Sequence, residues 1–158
     1  MTDEFGVPDN TFGPVPEKFY GLLGRIVALG ALVEMRFGTV IERITERSED
    51  SLAGWQMGRL GAEFDKVEKQ RSGEGRPLSA GMVALRSQAR DAMERRNALV
   101  HSLWPNPTLE EARGWRSVPQ GKRSSDDGTI QWTYTSETDM RALISRLVQI
   151  GKALRDIS

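Results

Sequence analysis

The chain has 158 residues, with 22 basic and 22 acidic side chains, one histidine and no cysteine. That length supports one domain with a proper core; the missing cysteines exclude disulfides, thiol nucleophiles and cysteine-zinc sites, and a lone histidine excludes a His-rich metal site. Zero net charge lacks the cationic excess of a general nucleic-acid-binding protein, although the first half leans mildly acidic and the second mildly basic.

Residues 1–16, with Gly6, Pro8, Gly13, Pro14 and Pro16, read as an extended arm. The opening Met1-Thr2-Asp3-Glu4 is acidic where a signal peptide is basic. The longest apolar run, Ile26 to Val33, is far short of the roughly 20 residues that span a bilayer. A cytoplasmic protein with no membrane partner is the expectation.

From Glu17 the apolar residues Phe19, Leu22, Leu23, Ile26, Val27, Leu29, Val33, Phe37, Val40, Ile41 and Ile44 recur at helical spacing, predicting one helix to about Arg47. Gly21, Gly24, Gly30 and Gly38 each weaken it by about 1 kcal/mol, so small residues here imply close approach of another helix or a bend. Ser48-Glu49-Asp50-Ser51 reads as a turn that caps a second helix, carried by Leu52, Trp55, Met57, Leu60, Phe64 and Val67 to about Gln70. Ser72 to Pro77 breaks it. A third helix is predicted from about Ser79 through Met82, Leu85, Ala89, Met93 and Leu99 to about Ser102, where Trp104-Pro105-Asn106-Pro107 stops it.

Trp115-Arg116-Ser117-Val118 and Ile130-Gln131-Trp132-Thr133-Tyr134 are β-prone runs, predicting a hairpin with a long mobile loop containing Asp127-Gly128. Ser136-Glu137-Thr138-Asp139 has the form of a capping box, and Met140, Leu143, Ile144, Leu147, Ile150 and Leu154 extend a fourth helix to near Ile157. The expected fold is all-α: an antiparallel four-helix bundle in one domain over residues 17–157, with a β-hairpin insertion at about 113–135 before the last helix.

The chemistry concentrates in Arg96-Asn97-Ala98-Leu99-Val100-His101, on the last turns of the third helix. Arginine is a permanent cation shaped for phosphate, and histidine is the side-chain type that exchanges protons near neutral pH. Asn97 and His101, four apart, share a helix face. Together these residue types suit binding and cleavage of a phosphodiester.

This pattern resembles the HEPN superfamily (higher eukaryotes and prokaryotes nucleotide-binding domains), α-helical bundles marked by an arginine, often a following asparagine, and a histidine a few positions on. Arg96, Asn97 and His101 match in order and in place, late on a helix of a small helical domain. The resemblance implies a metal-independent endoribonuclease without cofactor, of the toxin or antiphage kind, working as a homodimer with both motifs facing one cleft. Internal RNA cleavage needs a base for the 2′-hydroxyl proton, an acid for the leaving 5′-oxygen and cations at the phosphate. One protomer offers one histidine, so two-fold pairing would supply the second acid-base group. Arg96 would contact phosphate, His101 would act as base or acid, and Asn97 would orient the histidine or the phosphate. Glu94, Arg95, Ser102 and Trp104 are secondary candidates, Trp104 at the rim of the cleft.

Some relatives in this superfamily carry, two residues after the histidine, a tyrosine that an antitoxin modifies. Leu103 stands there in this chain, so a protein antitoxin would have to act by other means. The alternative function is a noncatalytic dimeric bundle of the same kind that binds a nucleotide, RNA or a partner protein. Trp55, Trp115 and Trp132 are expected in core or cross-strand packing. Arg113, Arg116, Lys122 and Arg123 would be either a solvated stretch, diluted by Glu110, Glu111, Asp126 and Asp127, or an RNA-guiding flap. The first is favoured.

Overall fold

The computed structural model describes residues 2, 6–8, 11, 13, 15–118 and 130–157. Those residues form four helices, with one two-stranded antiparallel hairpin before the last. In chain order they are α1 (Glu17–Ile44), α2 (Met57–Gly73), α3 (Ala80–Val100), β1 (Ala112–Ser117), β2 (Ile130–Thr135) and α4 (Glu137–Ile157).

The apolar stripe predicted for α1 is its buried face: Phe19, Leu22, Ile26, Val33, Phe37, Val40 and Ile41 all lie inside. The helix ends at Ile44, short of the expected Arg47, because Glu46 adopts a left-handed backbone with φ of 55°. Glu46 N–H then donates to Arg43 O (3.3 Å) and Arg47 N–H to Glu42 O (2.9 Å), the bond pair that closes a helix C-terminus. Gly75, with φ of 72°, closes α2 in the same manner, through Gly75 N–H to Ser72 O and Arg76 N–H to Arg71 O.

The start of α2 differs from the expectation. Ser48 to Ser51 cap nothing, and Leu52 and Trp55 precede the helix, which begins at Met57. Leu52 is buried nonetheless, because the buried Glu42 carboxylate accepts its backbone N–H (2.7 Å) and draws the turn onto α1. Glu34 of α1 accepts the Met57 N–H (2.9 Å), satisfying a first-turn donor that the Gln56 side chain leaves open.

The remaining helix starts follow their caps. Ser79 Oγ accepts the Met82 N–H at the head of α3. At α4, Ser136 Oγ accepts Asp139 N–H while the Asp139 carboxylate accepts Ser136 N–H (2.9 Å), the reciprocal capping box read from the sequence.

β1 begins at Ala112, three residues before the β-prone run, and pairs with β2 in the register Ala112↔Thr135, Gly114↔Thr133, Trp115↔Trp132 and Ser117↔Ile130. Leu103 adds a short bridge on the other edge of β1, exchanging both backbone hydrogen bonds with Trp115 (2.8 and 3.1 Å). The expected loop between the strands falls at residues 119–129, outside the described residues.

One apolar cluster draws side chains from all four helices, with Phe19, Phe37, Phe64, Met93, Leu99, Met140, Leu147, Ile150 and Leu154 at its centre. α1 contacts each of the other helices, most extensively α4, and the hairpin lies against the C-terminal turns of α3.

Candidate active site

Three cross-helix contacts in this fold pair a glycine with an arginine. The one at the motif is Gly30 of α1 against Arg96 of α3: a Cβ on Gly30 would stand 2.9 Å from Arg96 Nε and 3.4 Å from its Cδ and Cγ. The arginine stem therefore lies on bare α1 backbone. Its Nε is buried without a hydrogen-bond partner, while Nη1 donates to Asn97 Oδ1 (2.8 Å) and Nη2 makes no hydrogen bond among the described residues. Burying a guanidinium nitrogen unpaired is costly, and packing against Gly30 holds it there.

Asn97 thus orients Arg96, whereas the expectation was that it would orient His101 or the phosphate. His101 joins the pair through backbone alone: it is the C-cap residue of α3, and its N–H donates to Asn97 O (3.1 Å). Its side chain is exposed and has no hydrogen-bond partner among the described residues. The result is a half-buried arginine fixed against α1 and an exposed imidazole five residues on, both at the C-terminal end of one helix.

The secondary candidates separate. Arg95 donates from Nη2 to Tyr134 O (2.6 Å) and pins β2 to α3, while Glu94 is exposed. Ser102 is buried; its Oγ donates to Ala98 O (2.6 Å) and lies 3.0 Å from Thr133 Oγ1, so it anchors the hairpin and does not face a substrate. Trp104 is a correction: it does not stand at a cleft rim. It is 7% exposed, its indole N–H donates to Leu99 O (3.0 Å), and its ring meets Phe19 edge-on at 5.4 Å. No face of it is left for a base.

The hairpin arginines divide by strand parity. Arg113 lies over the Trp132 ring (3.7 Å to the centroid), whereas Arg116 turns to the other face, where its guanidinium donates to Gln131 Oε1. Lys122 and Arg123 lie outside the described residues. None of Arg95, Arg96, Arg113 and Arg116 has a carboxylate within ion-pair distance among the described residues, unlike Arg47, Arg76, Arg86 and Arg141.

Trp115 and Trp132 are cross-strand partners, but Trp132 remains 47% exposed, with Ile130 at 48% and Tyr134 at 53% beside it. The alternation Ile130-x-Trp132-x-Tyr134 places all three on one face, and that period was the available signal for an open aromatic surface. Among the described residues no helix is long and apolar enough to cross a membrane, and no three acidic or histidine side chains gather as metal ligands would.

No protein-family model, curated protein or solved structure matches this chain.

Proposed function

We propose that the protein is a metal-independent endoribonuclease of the HEPN kind, with Arg96, Asn97 and His101 as its catalytic group. The observation that carries this reading is the pairing of a pre-positioned arginine, whose Nη2 makes no hydrogen bond among the described residues, with a solvent-facing histidine at the same helix end. The helices are read as an antiparallel bundle. Two copies pair so that two histidines serve one scissile bond, in a cytoplasmic toxin or antiphage component restrained by a protein antitoxin or another partner.

In this reaction one imidazole takes the proton of the 2′-hydroxyl, and O2′ attacks phosphorus. The bond from phosphorus to the 5′-oxygen breaks, and the second imidazole protonates that leaving oxygen. Arg96 Nη2 stabilises the charged phosphorane, and Asn97 keeps the guanidinium from rotating away. The products end in a 2′,3′-cyclic phosphate and a 5′-hydroxyl.

The test is cleavage of a mixed RNA pool in EDTA by wild type and His101→Ala, with folding checked and product ends mapped. Cleavage by wild type alone, leaving cyclic phosphate ends, is the expected result. No cleavage by either protein would overturn the reading and leave the noncatalytic binding function in its place.

A further inference from the structure

The pairing register assembles an exposed aromatic and cationic face beside the motif. Leu103, Trp115 and Trp132 form one row across the sheet, since Leu103 bridges Trp115 and Trp115 pairs with Trp132. Arg113 and Tyr134 form the adjacent row, and Ser117 and Ile130 the row beyond. Leu103, Ile130, Trp132 and Tyr134 are each about half exposed, at 47%, 48%, 47% and 53%. The opposite face is spent on the core side: Ala112, Gly114, Thr133 and Thr135 are buried. Contiguous exposed aromatics of this kind mark an interaction surface.

We propose that this face binds the unpaired bases of single-stranded RNA and feeds the strand to His101. The occupant follows from three observations. The face carries π surfaces, and Arg113 is already stacked on Trp132, presenting a flat cation of the sort that stacks with bases and pairs with phosphates. Its neighbouring cations Arg95 and Arg113 lack carboxylate partners among the described residues, so phosphate would meet unneutralised charge. The face is also fixed to the motif: Arg95 holds Tyr134 O, Ser102 meets Thr133, and Leu103 follows His101 by two residues. A duplex keeps its bases stacked inside, so the platform selects loops, bulges and single strands.

The inference takes its ligand from the ribonuclease reading, and the two are separable. The probe is a fluorescein-labelled 12-residue oligouridylate, titrated into the 158-residue His101→Ala protein and followed by anisotropy and tryptophan quenching, against an RNA duplex of equal length. The single strand binds more tightly than the duplex. Trp132→Ala and Trp132→Leu weaken it about tenfold, Trp132→Phe retains most of the affinity, and Arg113→Ala weakens it and flattens the salt dependence. Leucine keeps an apolar side chain opposite Trp115 without a π face, so weakened binding there separates stacking from folding.

Equal binding with and without Trp132→Leu in the His101→Ala background, or equal affinity for the duplex, would overturn the proposal. So would a Trp132→Leu protein that loses self-association in sedimentation while its RNA affinity stays unchanged, which would assign the face to a second copy. Trp132-dependent binding by a protein that does not cleave would remove the ribonuclease reading and sustain this one; cleavage with unchanged KM in Trp132→Leu would do the reverse.

Discussion

Arg96 Nε lies where a side chain on Gly30 would begin, 2.9 Å from the place of an absent Cβ. Gly30→Ala removes a helix-weakening residue worth about 1 kcal/mol, yet it pushes the Arg96 stem off α1 and breaks its alignment with Asn97. Stability and cleavage therefore part company. The melting temperature is expected to hold or rise, while cleavage in EDTA falls by about tenfold or more. A Gly30→Ala protein with wild-type cleavage would show that the placement of Arg96 is irrelevant to the reaction.

Gly114 answers to the same physics in the sheet. A Cβ there would stand 2.7 Å from Trp104 Cε3 and 2.9 Å from Leu103 O, the second a backbone atom that cannot rotate aside. Gly114→Ala is expected to cost about 1–3 kcal/mol in urea denaturation, as overpacking does, and to loosen the hairpin from α3. Equal midpoints for the two proteins would refute that.

Glu42 holds the turn before α2 through the Leu52 N–H, and this carboxylate is 7% exposed. Glu42→Ala orphans a buried donor, with an expected loss of about 1–3 kcal/mol; Glu42→Gln keeps an acceptor and loses less. Hydrogen exchange locates the effect: the Leu52 amide loses its protection in the alanine variant first.

The Glu137 carboxyl is held below the ordinary carboxylate range by its hydrogen bonds to Lys18 and Arg141, each 2.7 Å away. Because folding lowers this pKa, the pair stabilises fully above the unfolded value of about 4.3, and the contribution fades as pH falls through the lower folded value. Glu137→Gln is therefore expected to lower the neutral plateau slightly and leave the acid end unchanged, so that the acid limb of the stability profile flattens. Thermal melts from pH 2 to 7 measure it, and parallel curves for the two proteins would count against the assignment.

Much of this architecture is legible in the sequence because one force dominates each part of it. The α1 stripe, the Ser79 and Ser136 caps and the proline stop after α3 are local signals that packing left unopposed. Leu52 misled because a residue drawn inward from a turn by Glu42 satisfies helical spacing as well as a helical residue does. β1 starts early because Trp104 and the Leu103 bridge recruit Ala112-Arg113-Gly114, which have little strand preference of their own. At the site, the motif letters marked the helix end, but not that Asn97 serves Arg96. Nor did they show Trp132 on the open face, since alternation does not say which side meets the core.

The Gly30–Arg96 contact has two counterparts. Gly61 of α2 takes Arg86 of α3, with Cζ 2.6 Å from the place of a Cβ, and Gly151 of α4 takes Arg36 of α1, whose Nη1 donates to the Gly151 carbonyl (2.7 Å). Each glycine is a socket cut to one arginine, so neither residue is free to drift alone. A larger residue at any of these sockets displaces its arginine, and a shorter side chain at the plug relieves the clash. The three couples are thus three places where a second substitution can rescue the first.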